Sequence, residues 1–156
     1  GFRQQASYLF SRHNVPDLDL GLRTVECTKR SMAWRLWLML QVFGVEGLGE
    51  LVTHTLDLAR EFAAMIKAQA DFELLTEPMT NILCFRYLPP GSLLGGEDLN
   101  TLQKRIRRHV LDTGEFFLVH TRIGEAVYLR TTLLNVYTTE RHLARLLELI
   151  RHAARS

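Results

Sequence analysis

The residue best placed to do chemistry is a cation set inside an apolar run, Val127-Tyr128-Leu129-Arg130-Thr131-Thr132-Leu133-Leu134-Asn135. A run this short, rich in β-branched and large apolar side chains, reads as a strand buried on both faces. Side chains alternate at period two, so Arg130 shares a face with Tyr128, Thr132 and Leu134, while Val127, Leu129, Thr131 and Leu133 point the other way. A guanidinium keeps its proton and is costly to bury alone, so Arg130 requires an anionic partner. A carboxylate of the protein and a carboxylate of a ligand both meet that need, and the pattern alone favours the first.

No other constellation competes with it. Cys27 and Cys84 lie far apart without metal-ligand spacing, which points to reduced thiols in a cytoplasmic protein. Zinc, calcium and P-loop signatures are absent, and no serine-histidine-acid order can be assigned. Arg86 reads as a surface cation at a strand end, and His54 lies on the wet face of a helix. Lys104, Arg105, Arg107, Arg108 and His109 form a basic cluster in the last turns of a helix, where they complement its dipole.

Bulk composition sets the frame for these residues. A chain of 156 residues, 47% hydrophobic and 23% charged, supports one ordinary core and excludes disorder and collagen. A formal charge of +2 is too small to argue for nucleic acid. No signal peptide is visible, and the most apolar stretch, residues 36–43, is interrupted by Gln41 and stops at Gly44, far short of a membrane span. The chain opens on Gly1 rather than methionine, with a segment that caps nothing, and reads as a fragment of a longer protein.

The elements that must position Arg130 follow from periodicity. Residues 11–22 read as a loop, broken by His13-Asn14, Pro16 and Gly21. Residues 29–43 form a helix that is apolar almost all round, through Trp34, Leu36, Trp37 and Leu38, and is expected to be buried. Residues 46–70 form an amphipathic helix whose stripe includes Leu48, Leu51, Val52, Thr55, Ala59, Phe62 and Ile66. Strands are expected at 72–75 and 81–87, with Glu77-Pro78 in the turn. A Pro- and Gly-rich loop at 88–97 precedes a helix at 98–113, capped by Asp98 and stopped by Gly114. A hairpin at 115–121 and 126–134 turns at Gly124, with Phe116, Phe117, Leu118 and Val119 filling both faces. A last helix begins after Thr138 or Thr139 and carries a stripe of Leu143, Leu146, Leu147 and Ile150. Strands joined by short turns are antiparallel, so the fold class is α+β: a short antiparallel sheet with helices on one face, preceded by long helices.

An ordered series of short motifs then carries a resemblance. Ala6-Ser7-Tyr8-Leu9-Phe10, Cys27-Thr28-Lys29-Arg30 leading to Leu36-Trp37-Leu38, and Gly44-Val45-Glu46-Gly47-Leu48-Gly49 open it. Asp71-Phe72-Glu73-Leu74-Leu75 with Glu77-Pro78, Asn81-Ile82-Leu83-Cys84-Phe85-Arg86, and Leu129-Arg130 with Leu134-Asn135 and Thr138-Thr139 continue it. Together they resemble the C-terminal part of the group II pyridoxal-phosphate-dependent amino-acid decarboxylases. Each motif alone is weak, but the series runs in order through essentially the whole chain. Thr28 and the segment from Phe72 to Phe85 are most similar to the glutamate and 2,4-diaminobutyrate branches.

The resemblance implies a fold-type I enzyme that is a homodimer with a shared active site. It divides the chain into residues 1–28, the end of a large domain and a mobile active-site loop; 29–70, connecting long helices; and 71–156, the C-terminal small domain. It implies pyridoxal 5'-phosphate as cofactor, whose ring draws off electrons as the α-carboxylate of an acidic or diamino amino acid leaves as carbon dioxide. Arg130 then matches an arginine that holds the substrate carboxylate in a forked pair, and Thr28 a residue that reaches the cofactor phosphate of the neighbouring subunit, with simple helix capping as its other reading. In this family a loop tyrosine delivers the final proton, but residues 11–26 contain none and form a shorter loop, so His13 is the candidate donor, with a merely solvated loop histidine as the more ordinary reading. Lys29 and Lys67 do not sit in the family's histidine-lysine motif and Lys104 falls on a surface helix, so this stretch alone is expected to be inactive. Two alternatives stand beside this reading: a non-catalytic assembly or binding module with the small-domain fold, and a cofactor enzyme performing decarboxylation-dependent oxidation or transamination.

Overall fold

The computed structural model describes residues 30–91 and 95–155. Their elements are α1 (Met32–Lys67), β1 (Phe72–Leu74), β2 (Ile82–Tyr87), α2 (Gly96–Asp112), β3 (Val119–Ile123), β4 (Ala126–Thr132) and α3 (Glu140–Arg155). The chain divides into two compact units, residues 1–45 and 46–156. The boundary adjoins a break inside α1, where Gly44 takes φ 70° and ψ 175°. Glycine enters that left-handed region without the Cβ clash that penalises other residues.

In the first unit, the described part of α1 contradicts one expectation. Its apolar residues are exposed rather than buried, with Trp34 62% and Val42 73% accessible. Trp34 and Trp37 meet edge to face at 5.5 Å, which hides little of either ring. An all-round apolar pattern says that a helix lacks a wet face, but does not say that its cover comes from the same stretch of chain. By length and composition alone α1 could cross a membrane. However, its charge-poor part runs through the break at Gly44, whereas a span needs about 20 unbroken residues.

The second unit is the α+β layer expected from the sequence. Its four strands lie in the order β1-β2-β4-β3, and every neighbouring pair is antiparallel. Alternation splits the sheet into two faces. Phe72, Leu83, Phe85, Tyr87 and Leu129 share one face and enter the core with Phe62 and Ile66 of α1, Ile106 and Val110 of α2, and Leu147 and Ile150 of α3. Phe62 meets Phe85 edge to face at 5.4 Å. In α1 the buried stripe runs from Thr55 to Ile66, whereas Leu51 and Val52, expected to continue it, are exposed. β3 also begins later than the sequence suggested, at Val119, and leaves Phe117 83% accessible instead of packed. Outside the strand, Phe117 has lost the alternation that was to turn it inward.

Two buried amides on α2 fasten the helix layer to the sheet. β2 and β4 pair from Ile82 opposite Thr132 to Phe85 opposite Leu129. The same register would next join Tyr87 to Val127, but the strands have forked. Gln103, fully buried, takes the vacant bonds of Tyr87: its Nε2 donates to the carbonyl at 2.9 Å, and its Oε1 accepts from the N–H at 3.1 Å. Asn100 does the same on the other side, accepting from Val127 N–H at 2.7 Å and donating to the Glu125 carbonyl at 2.8 Å. Buried backbone groups are thus satisfied by side chains where the ladder stops.

Candidate functional site

The second face of the sheet carries Glu73 of β1, Ile82, Cys84 and Arg86 of β2, Tyr128, Arg130 and Thr132 of β4, and Val119, Thr121 and Ile123 of β3. None of these residues belongs to the core cluster that joins the helices to the sheet. Arg130 sits mid-strand here, half-buried, opposite Cys84 on one side and Val119 on the other.

Arg130 has no acid. Among the described residues it forms no ion pair or hydrogen bond, and its Nε is fully buried without a partner. An unsatisfied buried donor costs about 1–3 kcal/mol, so this arrangement is one that a bound anion would stabilise. Burial pushes the Cys84 thiol up from its ordinary value, while the neighbouring Arg130 charge pulls the other way. The raised thiol therefore offers Arg130 no counter-charge.

The other arginine of this face is fully engaged. Arg86 donates from Nε to Glu73 Oε2 at 2.8 Å, its terminal nitrogen lies 2.7 Å from the same oxygen, and its guanidinium lies over the Tyr128 ring at 5.1 Å. It is therefore not the solvated surface cation that its place at the strand end suggested. Strand pairing sets Glu73 directly across from Arg86, a juxtaposition no local pattern discloses.

Elsewhere the polar residues are structural. Of the basic cluster on α2, Lys104 pairs with Glu97, Arg105 donates to the Ala154 carbonyl and Arg107 to the Leu118 carbonyl. His54 is exposed, as expected. A cleft of about 330 Å³ beside Thr131 and Thr132 also touches Glu115 and His142. Both are occupied: Glu115 takes a bidentate pair from Arg145 that holds its carboxyl below the usual range, and His142 Nδ1 accepts from the Thr139 N–H. No group of three or more metal-ligating side chains occurs among the described residues.

The comparisons with known proteins agree with the sheet. Residues 1–88 match the family model described as pyridoxal-dependent decarboxylase conserved domain. The chain belongs to the pyridoxal-dependent decarboxylase family. An acidic amino acid decarboxylase of Xenopus tropicalis is 38% identical over 89 residues, 56% of this chain and 17% of that protein. An aromatic-L-amino-acid decarboxylase of Bacillus atrophaeus is 27% identical over 155 residues, 98% of this chain and 32% of that protein. Among solved structures, the glutamate decarboxylase domain of a diaminobutyrate-pyruvate transaminase and L-2,4-diaminobutyrate decarboxylase from Vibrio parahaemolyticus superposes with a TM-score of 0.74. It is 29% identical, over 88% of this chain and 29% of that one. The chain thus spans less than a third of the length of these relatives.

Lys67 and Lys104 are exposed and paired with Glu77 and Glu97. Thr28 and His13, singled out for the cofactor phosphate and for proton delivery, lie outside the described residues. Of the three site residues named from the sequence, Arg130 is the one whose surroundings are defined.

Proposed function

We propose that this chain is the C-terminal part of a pyridoxal-phosphate-dependent decarboxylase that removes the α-carboxylate of an acidic or diamino L-amino acid, and that Arg130 holds a substrate carboxylate. The observation that carries the reading is the half-buried Arg130 guanidinium, without an acid among the described residues and with a buried donor unmatched. An incoming carboxylate supplies the missing acceptor as a forked, charge-assisted pair. Pyridoxal phosphate supplies the electron sink for loss of carbon dioxide, and its anchor lies outside the described residues. The acidic and diaminobutyrate activities in the names of two relatives support the substrate class, while the aromatic activity of a third marks its nearest competitor.

The same reading makes the whole protein a cytoplasmic homodimer with a shared active site. The exposed apolar surface of residues 32–43 supports an assembly that covers it, since patches of this kind mark contact surfaces. It assigns Thr28 to the cofactor phosphate of the neighbouring subunit and His13 to proton delivery in a loop without tyrosine.

Replacing Arg130 in the whole enzyme tests the reading. Arg130→Met keeps an unbranched apolar stem and removes both forked bonds, a loss of about 3 kcal/mol or roughly a hundredfold in KM. KM is measured with L-glutamate and L-2,4-diaminobutyrate while carbon dioxide and ammonia are quantified. An unchanged KM removes Arg130 from substrate binding, and ammonia released with carbon dioxide replaces simple decarboxylation by the oxidative alternative.

A further inference from the structure

Glu73 is the sole acid among the described strand residues on the face that carries Arg130. It lies on β1, two strand spacings from β4, and opposite a β2 residue two positions beyond Cys84, the partner of Arg130. Strand spacing and rise place their Cα atoms about 12 Å apart. An extended arginine, an extended glutamate and one hydrogen bond span roughly that distance. Glu73 could therefore neutralise Arg130 across Cys84, yet it turns to Arg86 instead.

Three features hold it there. Arg86 is directly opposite Glu73, both of its contacts fall on one carboxylate oxygen, and the Tyr128 ring lies beneath its guanidinium. The stack lies where the pairing of β2 and β4 stops beyond Phe85 and Leu129, and where Gln103 and Asn100 take up the backbone groups of Tyr87 and Val127. An arginine stacked on an aromatic face is pinned in a way that a free one is not.

From this geometry we infer that Arg86 is a positioning residue: stacked on Tyr128, it sequesters Glu73 and so keeps Arg130 available to the substrate carboxylate. In this arrangement the Arg86 charge is already neutralised by Glu73. The inference rests on the role proposed for Arg130, and specifies what keeps that role open.

The experiment compares four variants of the full-length enzyme with L-glutamate and L-2,4-diaminobutyrate as substrates, reading KM and kcat separately. Arg86→Met frees Glu73 to compete for Arg130, and is expected to raise KM on the order of tenfold with kcat nearly unchanged. Adding Glu73→Gln to Arg86→Met removes the competitor, so KM returns to within about twofold of the parent. A merely structural role for Arg86 would not be rescued by deleting its partner, and a double variant as weak as Arg86→Met overturns the inference. Cys84→Asp keeps the Arg86 stack intact and sets an acid directly opposite Arg130. It is expected to raise KM at least as far as Arg86→Met, and an unchanged KM overturns the inference even where Arg86→Met fails to fold. Arg130→Met separates the two claims. If it leaves KM unchanged, the substrate role of Arg130 fails; if it raises KM while the double variant is not rescued, only the sequestration fails.

Discussion

Gln103→Met in the full-length protein tests the fork on which the site is built. Methionine keeps the side-chain length and apolar stem but has no amide, so the N–H and carbonyl of Tyr87 lose partners at 3.1 and 2.9 Å. Both bonds are buried, and Gln103 itself is fully enclosed, so water does not replace the lost groups. Each orphaned backbone group costs about 1–3 kcal/mol, and the two together about 3 kcal/mol after partial relaxation. The obvious relaxation, zipping Tyr87 onto Val127, is opposed because Asn100 already accepts from the Val127 N–H. For a protein domain of this size such a loss lowers the melting temperature by roughly 6–12 °C. Urea unfolding gives the free energy, and the exposed Lys104→Met on the same helix serves as a control expected to shift it by under about 0.5 kcal/mol. Hydrogen exchange at the Tyr87 amide reports the fork directly. A loss below about 1 kcal/mol, with Tyr87 still protected, would show that the strands close without the amide and refute the assignment.

Two further outcomes follow from the core and its edge. Arg151 donates to both oxygens of Asp71 at 2.6 and 2.8 Å and lies over the Phe72 ring, and its hydrogen bond holds the Asp71 carboxyl below the ordinary 3.8. A lowered folded-state value means stabilisation that is complete above 3.8 and fades as acid protonates the carboxylate below it. Arg151→Met is therefore expected to cost about 2 kcal/mol near neutrality, with the gap to the parent narrowing below pH 3.8; a gap that stays constant on acidification contradicts the pairing. Phe62→Ala empties a fully buried site against Phe85 and is expected to cost about 3–5 kcal/mol, whereas Phe117→Ala at the exposed approach to β3 is expected to cost little; equal losses by urea unfolding would misplace the core.

The difference between these residues shows where sequence is readable. Alternation along β4 put Arg130 and Tyr128 on one face and Leu129 and Leu133 on the other, because a period of two follows from the pleat itself. Gln103 was readable in principle, since it falls four positions after Leu99 and three before Ile106, within the buried stripe of α2. A polar residue on such a stripe announces a buried hydrogen bond but not its recipient, and Tyr87 is sixteen positions away. The apolar helix at 32–43 was legible as a surface needing cover, while the source of that cover was not.

Arg130 is the sharpest case. That a cation occupies an apolar strand is a property of adjacent residues, but that it lacks an acid among the described residues is a property of where Glu73, the strand carboxylate on the face, has gone. Glu73 could reach it and is instead drawn to Arg86 by the register of β1 on β2. A freed Glu73 would satisfy Arg130 from within the chain and leave the same strand sequence with no reason to bind a carboxylate. The availability of the charge is thus decided three strands wide, by one arginine spent on holding another free.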